Sequence, residues 1–153
     1  MAFVDSIIFY NNNQIKQFVF FDFEFSPNHY TSIDRIYFKC KIFQNDLEFE
    51  YLNFDLEKSD FLYFLTGLEN VLYNNWYSTF LKNMDEDIEI IVTYIQLKQI
   101  VFFVKFQYEC FEKSVEFQFN SNKEILSNLV IELKNMIYEF EKQKDDLSFK
   151  FEI

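Results

Sequence analysis

Leu68-Glu69-Asn70-Val71-Leu72-Tyr73 recurs, position for position in character, as Leu133-Lys134-Asn135-Met136-Ile137-Tyr138, 65 residues further on. Both stretches sit inside helical patterns. From about Glu57 to Tyr73, Phe61, Phe64, Leu65, Leu68 and Leu72 fall at i, i+3, i+4, i+7 and i+11, a single apolar stripe. From about Asn122 to Glu141, Leu126, Leu129, Leu133, Met136, Ile137 and Phe140 form the second stripe. Ser121 with Glu124 three residues later reads as the capping box that starts it. Stripes of this kind are read as core faces that pack on a sheet.

Ahead of each helix the period changes to two. Val19, Phe21, Phe23 and Phe25 are expected on one face, with Phe20, Asp22 and Glu24 on the other. Ile36, Phe38, Cys40 and Ile42 repeat the alternation, with Lys39 and Lys41 opposite. After the turn Gln44-Asn45-Asp46, Leu47 to Phe54 reads as the next strand, with a bulge near Tyr51-Leu52 where its apolar parity changes. Ile7 to Tyr10 adds a short strand. Ile88 to Tyr94, Ile100 to Tyr108 and Ser114 to Phe119 follow in the second half, and Leu147 to Ile153 alternates as a last strand.

At the 65-residue offset Leu52 and Phe54 meet Phe117 and Phe119, and Ile36 to Phe43 meets Val101 to Tyr108. Chance likeness of two amphipathic units competes with true repetition. The fold class expected is α+β: antiparallel sheet structure from two pseudo-repeated strand-rich halves, about 1–75 and 76–153, each closed by one amphipathic helix. One shared sheet with both helices on one face would bury both stripes at once. The halves are too short to stand alone, so 1–153 is expected to be a single domain.

Half of the 153 residues are hydrophobic and 23 are Phe, enough for a sizeable core, although an AT-rich genome also raises Phe. With one Gly and one Pro, Gly67 and Pro27, the turns fall to Asn, Asp and Ser. The formal charge of −11 repels phosphate backbones and anionic lipid and favours a basic partner, or simply keeps a Phe-rich chain soluble. Two cysteines make no disulfide framework, no signal peptide opens the sequence, and no apolar run approaches the roughly 18–20 residues of a membrane span. A cytoplasmic location is expected.

Catalytic chemistry finds few residues to use. His29, the one histidine, lies in the polar loop Ser26-Pro27-Asn28-His29-Tyr30. Cys40 shares a strand face with Ile36 and Phe38 and reads as a small apolar residue, while Cys110 has no ligand spacing. A single glycine rules out a P-loop or a dinucleotide fingerprint. Asp85-Glu86-Asp87 with Glu89 is the densest acidic cluster, read as a solvated loop or as a docking patch, and it lacks the glycine and spacing of an EF-hand. Paired carboxylates for hydrolysis are not legible without the fold. Asp22, Glu24, Glu48 and Glu50 would form an acidic plate if their strands were neighbours. Trp76 and Tyr77, beside the acidic cluster, are the aromatic candidates for partner contact. No cofactor and no metal are expected, and exposed edge strands leave a homodimer open.

Asp34-Arg35-Ile36-Tyr37-Phe38, the strand Leu47-Glu48-Phe49-Glu50-Tyr51, the helix Asp60-Phe61-Leu62-Tyr63-Phe64-Leu65, then Val115-Glu116-Phe117-Gln118-Phe119 and a helix from Ile125 to Ile137 follow one another in a fixed order. Over roughly residues 15–142 this order resembles the WapI family of immunity proteins, with Gln96-Leu97-Lys98-Gln99 where the family has a glycine-containing turn. The resemblance implies a cytoplasmic antidote without catalysis, which binds a cognate bacterial toxin domain, often a basic nuclease. It carries over no functional residue. Two other functions fit the composition: an acidic inhibitor that mimics nucleic acid, with carboxylates spaced like phosphates, and a carrier whose Phe-lined sheet and helices enclose an apolar ligand.

Overall fold

Through most of the chain, where the apolar period switches between two and 3.6 the backbone switches with it. The computed structural model describes residues 5–28, 33–43, 52–83, 86–95, 99–108 and 113–151, with side chains to residue 146. The chain order is β1 (Ser6–Tyr10), β2 (Lys16–Ser26), β3 (Arg35–Ile42), β4 (Leu52–Glu57) and α1 (Lys58–Tyr73). Then come β5 (Ser78–Lys82), β6 (Ile88–Ile95), β7 (Gln99–Tyr108), β8 (Lys113–Ser121) and α2 (Lys123–Phe151). The strands pair antiparallel in chain order within two sheets, β1-β2-β3-β4 and β5-β6-β7-β8. The repeated unit is therefore a four-stranded meander followed by a helix.

The single shared sheet expected from sequence is replaced by two sheets facing each other. Phe18 of β2 and Phe54 of β4 each lie 5.4 Å from Phe106 of β7, ring centre to ring centre, and Phe9 of β1 lies 6.3 Å from Phe102. Edge-to-edge joining would leave each apolar face in need of its own cover. Stacking face to face covers both faces. The helices complete the core crosswise: α1 lies against β5 of the second sheet, α2 against β1 of the first, and the two helices meet each other.

The 65-residue repeat holds in the helices, where Phe61, Phe64, Leu65, Leu68 and Val71 correspond to Leu126, Leu129, Val130, Leu133 and Met136, all buried. It slips by one residue in the third strands. The inward residues there are Ile36, Phe38, Cys40 and Ile42 against Ile100, Phe102, Val104 and Phe106, an offset of 64. At 65, Phe38 and Cys40 would fall on Phe103 and Lys105, which point outward, since a one-residue slip in a strand exchanges its faces.

Three further expectations are corrected, and one strand was not anticipated. In β2 the core-facing residues are Phe18 and Phe20, then Phe23 and Phe25, so Val19 and Phe21 face outward. The β2–β3 register shifts between Phe21 and Glu24, and Asp22 has φ 53. This is a bulge, and Asp tolerates the left-handed region better than most residues. It lets two overlapping frames of alternation both bury their Phe. The start of α2 is capped by Asn122, whose Oδ1 accepts the Ile125 N–H at 2.9 Å, while Ser121 ends β8 with its hydroxyl buried. Leu147 begins no strand, because α2 runs through Phe151. Glu141 to Asp146 contains no residue that breaks a helix, so the helix continues past the alternation. Finally, β5 went unread in the sequence, being only five residues of mixed character. Of the bulge expected near Tyr51-Leu52, Tyr51 lies outside the described residues.

Asp34, ahead of β3, ties three elements together. Its carboxylate accepts from Lys144 Nζ of α2 at 2.8 Å and from the Asn28 backbone N–H at 3.1 Å, and Lys58 Nζ of α1 lies 3.2 Å away. Lys58 also meets Glu141. Burial pushes the Asp34 carboxyl up, but the bonds from Lys144, Asn28 and Lys58 outweigh it and hold the carboxyl below its ordinary value of 3.8. A carboxylate with a depressed folded-state pKa stabilises the fold at neutral pH. That contribution disappears as pH falls through the folded-state value. Asp34→Asn is expected to lower stability at pH 7 by about 3 kcal/mol, by leaving Lys58 and Lys144 short of a partner. It should also flatten the loss of stability at acid pH, which denaturant melts between pH 7 and 3 would read.

Gly67 is the point at which α1 meets β5. A Cβ there would lie 1.7 Å from Thr79 Oγ1 and 2.5 Å from Thr79 Cβ. Gly67→Ala is expected to cost at least about 2 kcal/mol through overpacking. Adding Thr79→Gly, which removes both the oxygen and the Cβ that collide, is expected to recover more of the loss than Thr79→Ala, which keeps the Cβ at 2.5 Å, in double-mutant cycles measured by urea melts.

Candidate protein-binding face

A sheet packed on one side is expected to turn polar residues to water on the other. The second sheet departs from this. Its cross-strand register places Phe80, Ile91, Phe103 and Gln118 in one outward row across β5, β6, β7 and β8. Phe80 and Phe103 are 44% and 39% exposed. Tyr63 of α1, also exposed, extends the row by resting on Phe80 with ring centres 5.1 Å apart. The neighbouring row reads Lys82, Glu89, Lys105, Glu116. Its charges pair within the chain, Lys82 with Glu89 at 3.8 Å and Lys105 with Glu116 at 3.4 Å. Exposed pairs of this kind contribute only about 0.2–1 kcal/mol each, so they can exchange partners at small cost.

The arrangement offers rings and aliphatic surface bordered by a row of alternating, mutually paired Lys and Glu. Such a face recognises apolar side chains, and Tyr or Phe rings also take Arg or Lys over their faces. Contiguous apolar surface left exposed on a folded chain is where contacts with proteins, membranes or ligands concentrate.

The residues singled out in the sequence are distributed differently. Trp76 and Tyr77 lead into β5 at the end of this face, 47% and 80% exposed, and the Tyr77 carbonyl accepts the Tyr94 N–H at 2.7 Å. Glu89 belongs to the charged row. Glu86 and Asp87 shape the β5–β6 turn: Glu86 lies 3.4 Å from Lys82, and Asp87 bonds Asn83. Asp85, Glu48 and Glu50 lie outside the described residues, as do His29 and Cys110. Asp22 and Glu24 are exposed on the other sheet, Asp22 beside Lys39 at 3.3 Å. The other half of the expected acidic plate, Glu48 and Glu50, falls outside the described residues. Beside Asp22 and Glu24, β3 presents Tyr37 and Lys39 on the same outer face. Cys40 is fully buried, and burial raises its thiol well above the ordinary range, in keeping with an apolar role.

Tyr63, Phe80, Ile91 and Phe103 were not recognised from sequence. A signal existed in Ile100-Val101-Phe102-Phe103-Val104, five consecutive apolar residues in a strand that alternates elsewhere. A period of two requires some of them to face outward. No protein-family model, curated protein or solved structure matches this chain. Among the described residues no helix is long and apolar enough to cross a membrane.

Proposed function

We propose that this chain is a cytoplasmic immunity protein that binds and neutralises a bacterial toxin domain of basic surface, with no catalysis of its own. The exposed row Tyr63, Phe80, Ile91 and Phe103, on a chain of net charge −11, carries this reading. The rings supply desolvated anchors, and the surplus of carboxylates steers a basic partner towards them. The order of segments resembling the WapI immunity family points the same way.

Two alternatives receive less support. A nucleic-acid mimic needs an unbroken array of carboxylates, whereas Lys39, Lys82 and Lys105 interrupt the acidic residues on both outer sheet faces. A carrier needs an apolar space between the sheets, and the rings of Phe9, Phe18, Phe54, Phe102 and Phe106 meet directly across that interval.

The tagged chain, purified from its native strain with the upstream open reading frame intact, is expected to bring down a basic domain in equal amount and to rescue growth. Phe80→Ser and Phe103→Ser are each expected to weaken capture by about 30-fold, the effect of losing one anchor worth roughly 2 kcal/mol. Circular dichroism should stay unchanged, because both rings already face water. Recovery of no basic partner would sink the immunity reading. Undiminished capture by the double variant would remove this face from it.

A further inference from the structure

The 65-residue repeat sets Glu132 of α2 against Gly67 of α1. In each case a helix passes the first strand of the opposite sheet. The two contacts are built in opposite ways. Gly67 admits Thr79 so closely that no side chain fits between α1 and β5. At the matching place a carboxylate stands between α2 and β1, accepting the Ile8 backbone N–H on the edge of the first sheet. Beside it lies a groove of about 570 Å³. Ile8 and Tyr10 of β1 line one side, and Glu124, Ile125, Asn128 and Glu132 of α2 the other.

The groove lining carries no Lys or Arg among the described residues. Glu124, Asn128 and Glu132 follow at i, i+4 and i+8, so the two carboxylates share one helix face about 12 Å apart at a rise of ~1.5 Å per residue. Burial pushes the Glu132 carboxyl up, and the bond from Ile8 only partly offsets this. An entering cation would lower the cost of that charge. An extended peptide advances about 3.3 Å per residue, so its residues i and i+4 stand about 13 Å apart on one side.

We propose that the groove between β1 and α2 binds an extended basic segment, two of whose Arg or Lys side chains, four residues apart, meet Glu124 and Glu132. This rests on the reading of the partner as a basic protein and adds a second contact, remote in sequence from the Phe80 and Phe103 row. Aliphatic walls from Ile8 and Ile125 suit the methylene stems of such side chains, and Asn128 offers a hydrogen bond between them.

The probe is the blocked pentapeptide Arg-Ser-Val-Ser-Arg, titrated into the full chain and followed by amide and methyl NMR. Saturable shifts are expected at the Ile8 amide and the Ile125 methyls. A peptide with both arginines replaced by citrulline, which keeps the shape and loses the charge, is expected to bind at least tenfold more weakly. Glu132→Gln retains an acceptor for the Ile8 N–H and so the fold, and it should weaken the arginine peptide at least fivefold, as should Glu124→Gln. Phe80→Ser with Phe103→Ser should leave peptide binding unchanged. Absence of saturable shifts, equal binding of the citrulline peptide, or indifference to Glu132→Gln overturns the groove while leaving the sheet face untouched. Peptide binding without recovery of any basic partner from the native strain retains the groove and overturns the immunity reading.

Discussion

Phe18 touches both sheets. Its ring stacks on Phe9 at 4.1 Å within the first sheet and meets Phe106, Phe117 and Phe119 of the second at 5.4, 5.9 and 6.2 Å. Aromatic pairs in stacked and edge-on geometries add about 0.5–1.5 kcal/mol each beyond the area they bury. The ring cluster gives each meander a partner, and it fixes which face of each sheet turns inward. Every outward row, including the one with Phe80 and Phe103, inherits its orientation from that choice.

Polar groups then fix how the layers are placed. Asn83, itself buried, accepts the N–H groups of Asp87 and Ile88 at 3.1 and 3.3 Å and donates to the Asp55 carbonyl of β4 at 3.3 Å. One side chain thus shapes the β5–β6 turn and ties the second sheet to the first. Asp34 does the same for the far end of α2. Apolar rings tolerate small sliding, whereas these bonds have direction. The outward row of Phe80, Ile91 and Phe103 is consequently carried on a frame held at both ends, so its geometry is fixed in advance.

Much of the architecture was legible because periodicity is local. The stripe Phe61, Phe64, Leu65 and Leu68, and the alternation Ile36, Phe38, Cys40 and Ile42, each name their element and their buried side without reference to the rest of the chain. Three things were not local. Whether two meanders merge or stack depends on rings about 90 residues apart finding each other, as Phe18 and Phe106 do. The frame change in β2 depends on Asp22 accepting an unusual backbone angle, which alternation alone does not encode. The exposed row depends on register, which brings Phe80, Ile91 and Phe103 into line from three strands. The sequence-chosen candidates were acidic clusters and the Trp76-Tyr77 pair. Of those among the described residues, Glu89, Trp76 and Tyr77 lie on or beside the face. Carboxylates are abundant everywhere in this chain, so their clustering says little about place.

The crosswise seating of the helices bears on when the protein can act. The first four strands and α1 emerge from the ribosome early, yet α1 belongs against β5 and the edge of β1 is covered by α2. The first meander lacks its full cover until α2 has been made. Contacts this distant in sequence also slow folding relative to a chain of local contacts. A nascent or truncated molecule therefore presents Phe-rich strands without their lids, a target for chaperones and proteases. Quality control is built into the chain order: the molecules that persist are those in which both halves have been completed.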